Sequence, residues 1–170
     1  MQKILLLTIV LCFTAACATT SKVTGGPDWT LRGSGAFSDG GKAFYGVGLA
    51  APTLKDESLR REAADNRARA DLQKIFSTYS SGLMKDYSGS EGELVERVIK
   101  TYQNGTRAGV QVVDRYQRQD GTVYSLVKLD LDQFKKYLET ENGISSETRN
   151  YLRKKSDAMF EELAKEEKLR

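Results

Sequence analysis

Residues Ala43 to Ala51 read Ala-Phe-Tyr-Gly-Val-Gly-Leu-Ala-Ala, and no other stretch of the chain restricts its fold so tightly. Successive side chains of a strand point to opposite faces, so Ala43, Tyr45, Val47 and Leu49 share one face while Phe44, Gly46, Gly48 and Ala50 share the other. A glycine face has no side chains of its own to bury. It accepts a closely packed helix. Pro52 ends the strand, and Thr53 or Asp56 can cap a helix after it. From Glu57 to about Met84, Ala64, Ala68, Leu72, Ile75, Phe76, Tyr79 and Leu83 recur at spacings of three and four, which predicts one long helix with small residues on its inner stripe. Glu57 with Arg61 and Asp65 with Arg69 are expected to be exposed pairs on its outer side.

The same patterns give the remaining elements. Glu91 to Gln103 reads as a second helix carrying Leu94, Val95, Val98, Ile99 and Tyr102 inward, with Asn104-Gly105 as its stop. Two alternating runs, Gly109 to Gln117 and Thr122 to Leu129, meet across Gln119-Asp120-Gly121, a hairpin signal. Asp130 or Asp132 can cap a short helix bearing Leu131, Phe134, Tyr137 and Leu138, broken by Gly143. A last helix starts near Ser145, with a thin stripe of Leu152, Met159 and Leu163 and a charged end expected to fray or project. The fold class is therefore α+β: a small antiparallel sheet, one strand plus a hairpin, with the long helix and further helices on one face.

The first residues carry an address. Lys3 precedes an almost wholly apolar run, Ile4 to Ala16, of 13 residues. At about 1.5 Å each these reach about 20 Å as a helix, short of the roughly 30 Å hydrocarbon core. Residues 1–16 thus read as a signal peptide and not as a span. Ala15-Ala16 before Cys17 resembles the lipobox of bacterial lipoproteins, although Thr14 stands where Leu is usual. Cys12 comes after the bulky Val10-Leu11 and is the poorer cleavage site. The resemblance implies cleavage between Ala16 and Cys17 and lipid on Cys17; two or more acyl chains anchor a protein stably. Ala18, where Asp would signal inner-membrane retention, implies the outer membrane, facing the periplasm. Residues 17–27 form the lipidated cysteine and a spacer, residues 28–142 the domain and residues 143–170 the charged terminal helix. Beyond residue 16 the chain has 170 − 16 = 154 residues, enough for one core without a disulfide.

Candidate chemistry is sparse. With 26 Lys and Arg against 23 Asp and Glu, mixed in sequence, there is no electrostatic footprint for nucleic acid. The chain has no histidine, and past Cys17 no cysteine, which removes the common nucleophile–base pairs and the common zinc, copper or haem ligands. No catalytic residue, metal site or cofactor is expected. Gly46-Val47-Gly48-Leu49-Ala50-Ala51 matches G-x-G-x-x-A, but the glycines lie within the strand, Pro52 comes directly after them and no second strand ends in an acid about twenty residues later. Asp130-Leu131-Asp132 reads as alternative caps in preference to a metal pair, and Asp120-Gly121 as a turn in preference to a calcium loop. Tyr102, Tyr116, Tyr124 and Tyr137, close to basic residues, read as core-edge residues in preference to base-stacking ones. The string Asp65 to Leu72, with Asn66, Arg67 and Arg69, is faintly like the helix of OmpA-type peptidoglycan-binding domains, without that family's preceding strand and loop.

Cys17, Pro27-Asp28-Trp29, Phe44 to Ala50, the Ala- and Arg-rich helix around Ala63 to Leu72, and Asp120-Gly121 through Tyr124 to Asp130 occur in an order that resembles the LPP20 family of bacterial lipoproteins over roughly Trp29 to Leu138. The resemblance implies a long helix on a small antiparallel sheet, on an outer-membrane lipoprotein without established enzymatic activity. The expected function is a lipid-anchored, non-catalytic envelope lipoprotein acting as an interaction or structural module. Its partners would be the membrane through Cys17 and other envelope proteins, with a second copy also possible through the thin last helix. The alternative is a peptidoglycan-binding module, or a carboxylate hydrolase of the cell wall.

Overall fold

The computed structural model describes residues 25–38 and 40–168, side chains at 107–109 and 168 excepted. The expected signal segment and its expected cleavage site, Ala16 and Cys17, lie outside the described residues. In chain order the elements are α1 (Trp29–Arg32), β1 (Gly35–Phe37), β2 (Ala43–Ala50), α2 (Glu57–Lys85), α3 (Gly92–Gly109), β3 (Val112–Gln117), β4 (Val123–Asp130), α4 (Leu131–Thr140) and α5 (Ser146–Lys168). The sheet order is β1-β2-β4-β3, every neighbour antiparallel.

The sequence predicts the sheet's α+β class and its helix-covered face; the structure adds β1. Three residues between glycines give no alternation to read. What makes them a strand is pairing, with Gly35 opposite Tyr45 and Ala36 opposite Phe44. Gly33 and Gly40, at φ 77° and 74°, turn the chain at either side of β1 in a region closed to most side chains. Ser34 extends the edge by accepting the Val47 N–H on its hydroxyl at 2.8 Å.

Helix α2 begins where Asp56 accepts the Leu59 N–H at 3.0 Å, which settles the cap between Thr53 and Asp56. Its inner stripe lies on the glycine face of β2. A Cβ added to Gly46 would stand 2.8 Å from the Cβ and the backbone nitrogen of Leu72, and one added to Gly48 would overlap the Ala64 carbonyl and the backbone of Ala68. Helix and strand are thus in backbone contact. Phe44 anchors the other end of the face, with ring centroids 5.5 Å from Phe76, 4.8 Å from Tyr79 and 5.3 Å from Phe160.

Two expectations are corrected by the helices. Asn104-Gly105 does not stop α3, which continues to Gly109. Thr106 holds the extra turn by donating to the carbonyls of Tyr102 and Gln103, and the exit delivers Val110 into the core. The terminal helix is also richer inward than its thin stripe: Leu152, Phe160 and Ala164 are buried, and Met159 and Leu163 pack against the same core. Its stripe faces this chain's own sheet and α2. Asp157 fastens it from outside, taking Lys42 at 2.9 Å and Lys135 at 3.2 Å.

Candidate functional site

The buried charge of α2 is Asp65, one residue beyond the small-residue stripe. Its carboxylate accepts the Arg115 Nε and Nη2 at 3.0 and 2.7 Å, and the Ser125 hydroxyl at 2.6 Å. Burial pushes its carboxyl up, but the hydrogen bonds from Arg115 and Ser125 and the charges of Arg115 and Arg69 outweigh burial and hold it below the usual carboxylate range. The expected exposed pair with Arg69 does not form. Arg69 instead donates to the Val110 carbonyl at 3.3 Å and to Asn66 at 3.5 Å.

A hydroxyl bonded to a carboxylate invites a catalytic reading, and the chemistry argues the other way. Ser125 is fully buried beneath α2, and an ionised Asp65 with a lowered pKa is a weak base for its proton. The trio ties the long helix to β3 and β4. Sequence reasoning missed it because its members stand 50 and 60 residues apart; the available signals were a serine within the inward Val123, Ser125, Val127 series and an arginine at the matching position of β3.

A wide concavity lies elsewhere, at the frayed end of the hairpin. Strand β4 continues through Lys128, Leu129 and Asp130, whereas β3 begins only opposite Val127. The Leu131 N–H bonds to the Lys42 carbonyl on the β2 side, so backbone groups alternating from it, at Lys128 and Asp130, are directed to the β3 side. There α3, α4 and the Val110–Val113 segment wall a groove of about 620 Å³. Tyr102 and Tyr137 line it with ring centroids 4.8 Å apart, beside Gln111, Gln133, Thr101 and Thr106. Burial, then the charge of Asp130, pushes the Tyr102 phenol up to about 12; burial, then the hydrogen bond and charge of Glu141, does the same for Tyr137. Both remain protonated at neutral pH and present a ring face with a hydroxyl, suited to binding and not to proton transfer.

The other residues singled out from the sequence are dispersed. Gly46 and Gly48 lie under α2, where no phosphate could approach. Asp130 is the N-cap residue of α4, as expected, but makes no side-chain capping bond and pairs with Lys128 at 2.6 Å, while Asp132 pairs with Lys135 at 3.0 Å. Asp120 accepts the Thr122 N–H at 2.8 Å in the hairpin turn, with Gly121 at φ 86°. The four tyrosines split into two pairs, Tyr102 with Tyr137 in the groove and Tyr116 with Tyr124 on the outer face of the sheet. In the Asn66-to-Leu72 string, Arg67 donates to the Leu49 carbonyl and Asp71 accepts Lys74 at 3.1 Å. Among the described residues no cluster of three or more His, Cys, Asp or Glu could hold a metal ion, and no helix is long and apolar enough to cross a membrane.

The profile of the LPP20 lipoprotein family matches residues 27–130, from just before α1 to the end of β4. This chain belongs to the LPP20 lipoprotein family. The LPP20 match takes in the whole sheet, α2 and the Asp65–Arg115–Ser125 trio, and stops before α4 and α5, although Phe134 and Phe160 complete the aromatic core. The groove therefore combines LPP20 elements with a wall, α4, that lies beyond the matched span. Comparison with curated proteins yields no match.

Proposed function

We propose that this chain is a non-catalytic lipoprotein, anchored through lipid on Cys17 to the outer membrane and facing the periplasm, which holds a partner protein of the cell envelope. The observation that carries the reading is the groove beside Lys128–Asp130. It offers strand-edge backbone, two protonated tyrosines and flanking amides on a scaffold whose buried Asp65 and Ser125 are engaged in holding α2 to the sheet. Groups so disposed suit an extended peptide segment, whose main chain can pair with a strand edge while a side chain lies against the tyrosine rings. The anchor is supported by Ala15-Ala16-Cys17 and the membrane assignment by Ala18. The absence of catalysis is supported by a chain without histidine and by a serine sealed under a helix.

Site-specific photocrosslinking in whole cells tests this. A crosslinker in place of Gln133, exposed on the groove side of α4, is expected to give a discrete adduct, and one in place of Glu139, exposed on the same helix away from the groove, is not. Equal or absent adducts at both positions refute the reading. The glycan alternative has less support, since the side chains of Asn66, Arg67, Arg69 and Asp71 already have partners within the fold. Sedimentation with purified peptidoglycan separates it from the first.

A further inference from the structure

The sheet face opposite α2 carries Tyr45, Val47 and Leu49 of β2, and their register places Leu126 and Tyr124 of β4 and Tyr116 of β3 beside them. Among the described residues the only helix on it is the four-residue α1. What crosses it is the segment before β1: Trp29 donates its indole N–H to Asp114 at 2.8 Å, Gly26 lies against the Tyr116 ring, and Arg32 stands 3.8 Å over the Phe37 ring. Leu31 is left 76 % exposed and Leu49 46 %. The result is a surface of indole, phenols and leucines, with Arg32 at one end and Arg118, 5.4 Å over Tyr124, at the other.

Position adds to composition. Gly25, where the described chain starts, lies beside the Tyr116 hydroxyl on this face, and Cys17 is eight residues earlier. At about 3.3–3.6 Å per residue the tether reaches at most about 29 Å, so a lipid on Cys17 keeps this face close to the bilayer. A tether this short also holds its two ends at an effective concentration of about the millimolar range, so even a weak contact is populated. Amphipathic aromatic residues and guanidinium groups are the side chains that settle at the headgroup level.

We propose that the outer sheet face, with α1 upon it, docks on the phospholipid surface that holds the anchor, Trp29, Leu31 and Leu49 entering the interface while Arg118 meets lipid phosphates. The proposal rests on lipid anchoring at Cys17. It fixes the orientation of the domain: α2, α4 and α5 point away from the membrane, on the opposite side of the sheet.

Trp29 is the chain's only tryptophan, so its fluorescence reports this face alone. The full lipidated protein is reconstituted in vesicles of phosphatidylethanolamine and phosphatidylglycerol, with the phosphatidylethanolamine brominated on its acyl chains or not. Emission is expected to fall on the order of twofold in brominated vesicles, as for a side chain seated at the acyl boundary. The double variant Leu31→Glu, Leu49→Glu, altered only at exposed positions, is expected to float with the vesicles, keep its far-ultraviolet circular dichroism and lose the quenching. Flotation without quenching of the wild type overturns the docking and leaves the anchor standing. Failure to float overturns the anchor and the docking with it. Quenching of the double variant equal to the wild type overturns the assignment to this face.

Discussion

Substituting Gly48 with alanine tests why α2 lies where it does. The added methyl would overlap the Ala64 carbonyl and the Ala68 backbone nitrogen and stand 3.0 Å from the Ala68 Cα. None of these atoms belongs to a flexible side chain, so relief must come from moving a helix of 29 residues as a body. A radial gap of about 0.5–1 Å forfeits a quarter to a half of each dispersion contact along the interface. Overpacking of a core costs about 1–3 kcal/mol where side chains can yield, and a backbone obstacle places Gly48→Ala at the upper end, about 3 kcal/mol. For a domain of this size that lowers Tm by about 6–12 °C, at about 2–4 °C per kcal/mol. Gly105→Ala is the matched control: it sits within α3 with nothing within 4 Å of an added Cβ, and replacing a helical glycine is expected to raise stability by about 0.5–1 kcal/mol. Thermal and urea unfolding followed by circular dichroism measure both. A cost below about 1 kcal/mol for Gly48→Ala, or the same sign for the two variants, refutes the close-packed glycine face.

The buried trio and the last helix give three further predictions. Asp65→Ala leaves the buried Ser125 hydroxyl without its acceptor and is expected to cost about 1–3 kcal/mol; a urea midpoint equal to the wild type's would contradict that. Because Asp65 and Asp157 have carboxyl pKa values held below their ordinary range, their contribution is complete above the unfolded value of about 4 and is lost as pH falls through the lower folded values. Stability should therefore decline below about pH 5, and Asp65→Asn should flatten that decline; an unchanged slope in denaturant titrations across pH would refute the linkage. Phe160→Ala removes a fully buried ring stacked edge-on to Phe44 and is expected to cost about 3–5 kcal/mol, whereas a peripheral terminal helix would tolerate it with little change in Tm.

The parts of this fold that could be read from the sequence are those whose signal is local. Alternation exposed the glycine face of β2, three- and four-residue spacing exposed α2, and Asp120-Gly121 placed the hairpin turn. What escaped depends on partners distant in sequence. β1 is three residues long and exists through its pairing with β2. Asp65 reads as half of an exposed pair with Arg69 until β3 brings Arg115 beside it. Phe160 interrupts a charged helix whose inward face cannot be phased without knowing that Phe44 awaits it. The groove is the extreme case, since its walls come from α3, β4 and α4 and its opening from β3 leaving the last three residues of β4 unpaired on that side. The reading of Cys17 is the reverse: it rests on its neighbours Ala15 and Ala16 alone and lies outside the described residues.

The proposed anchoring at Cys17 underlies both the proposed envelope role and the proposed membrane-facing orientation of the sheet. Labelling of growing cells with radioactive palmitate, comparing wild type with Cys17→Ala, tests it most directly. Label carried by the wild-type band and absent from the variant is the predicted result; equal labelling of the two, or none in either, contradicts a lipid on this cysteine.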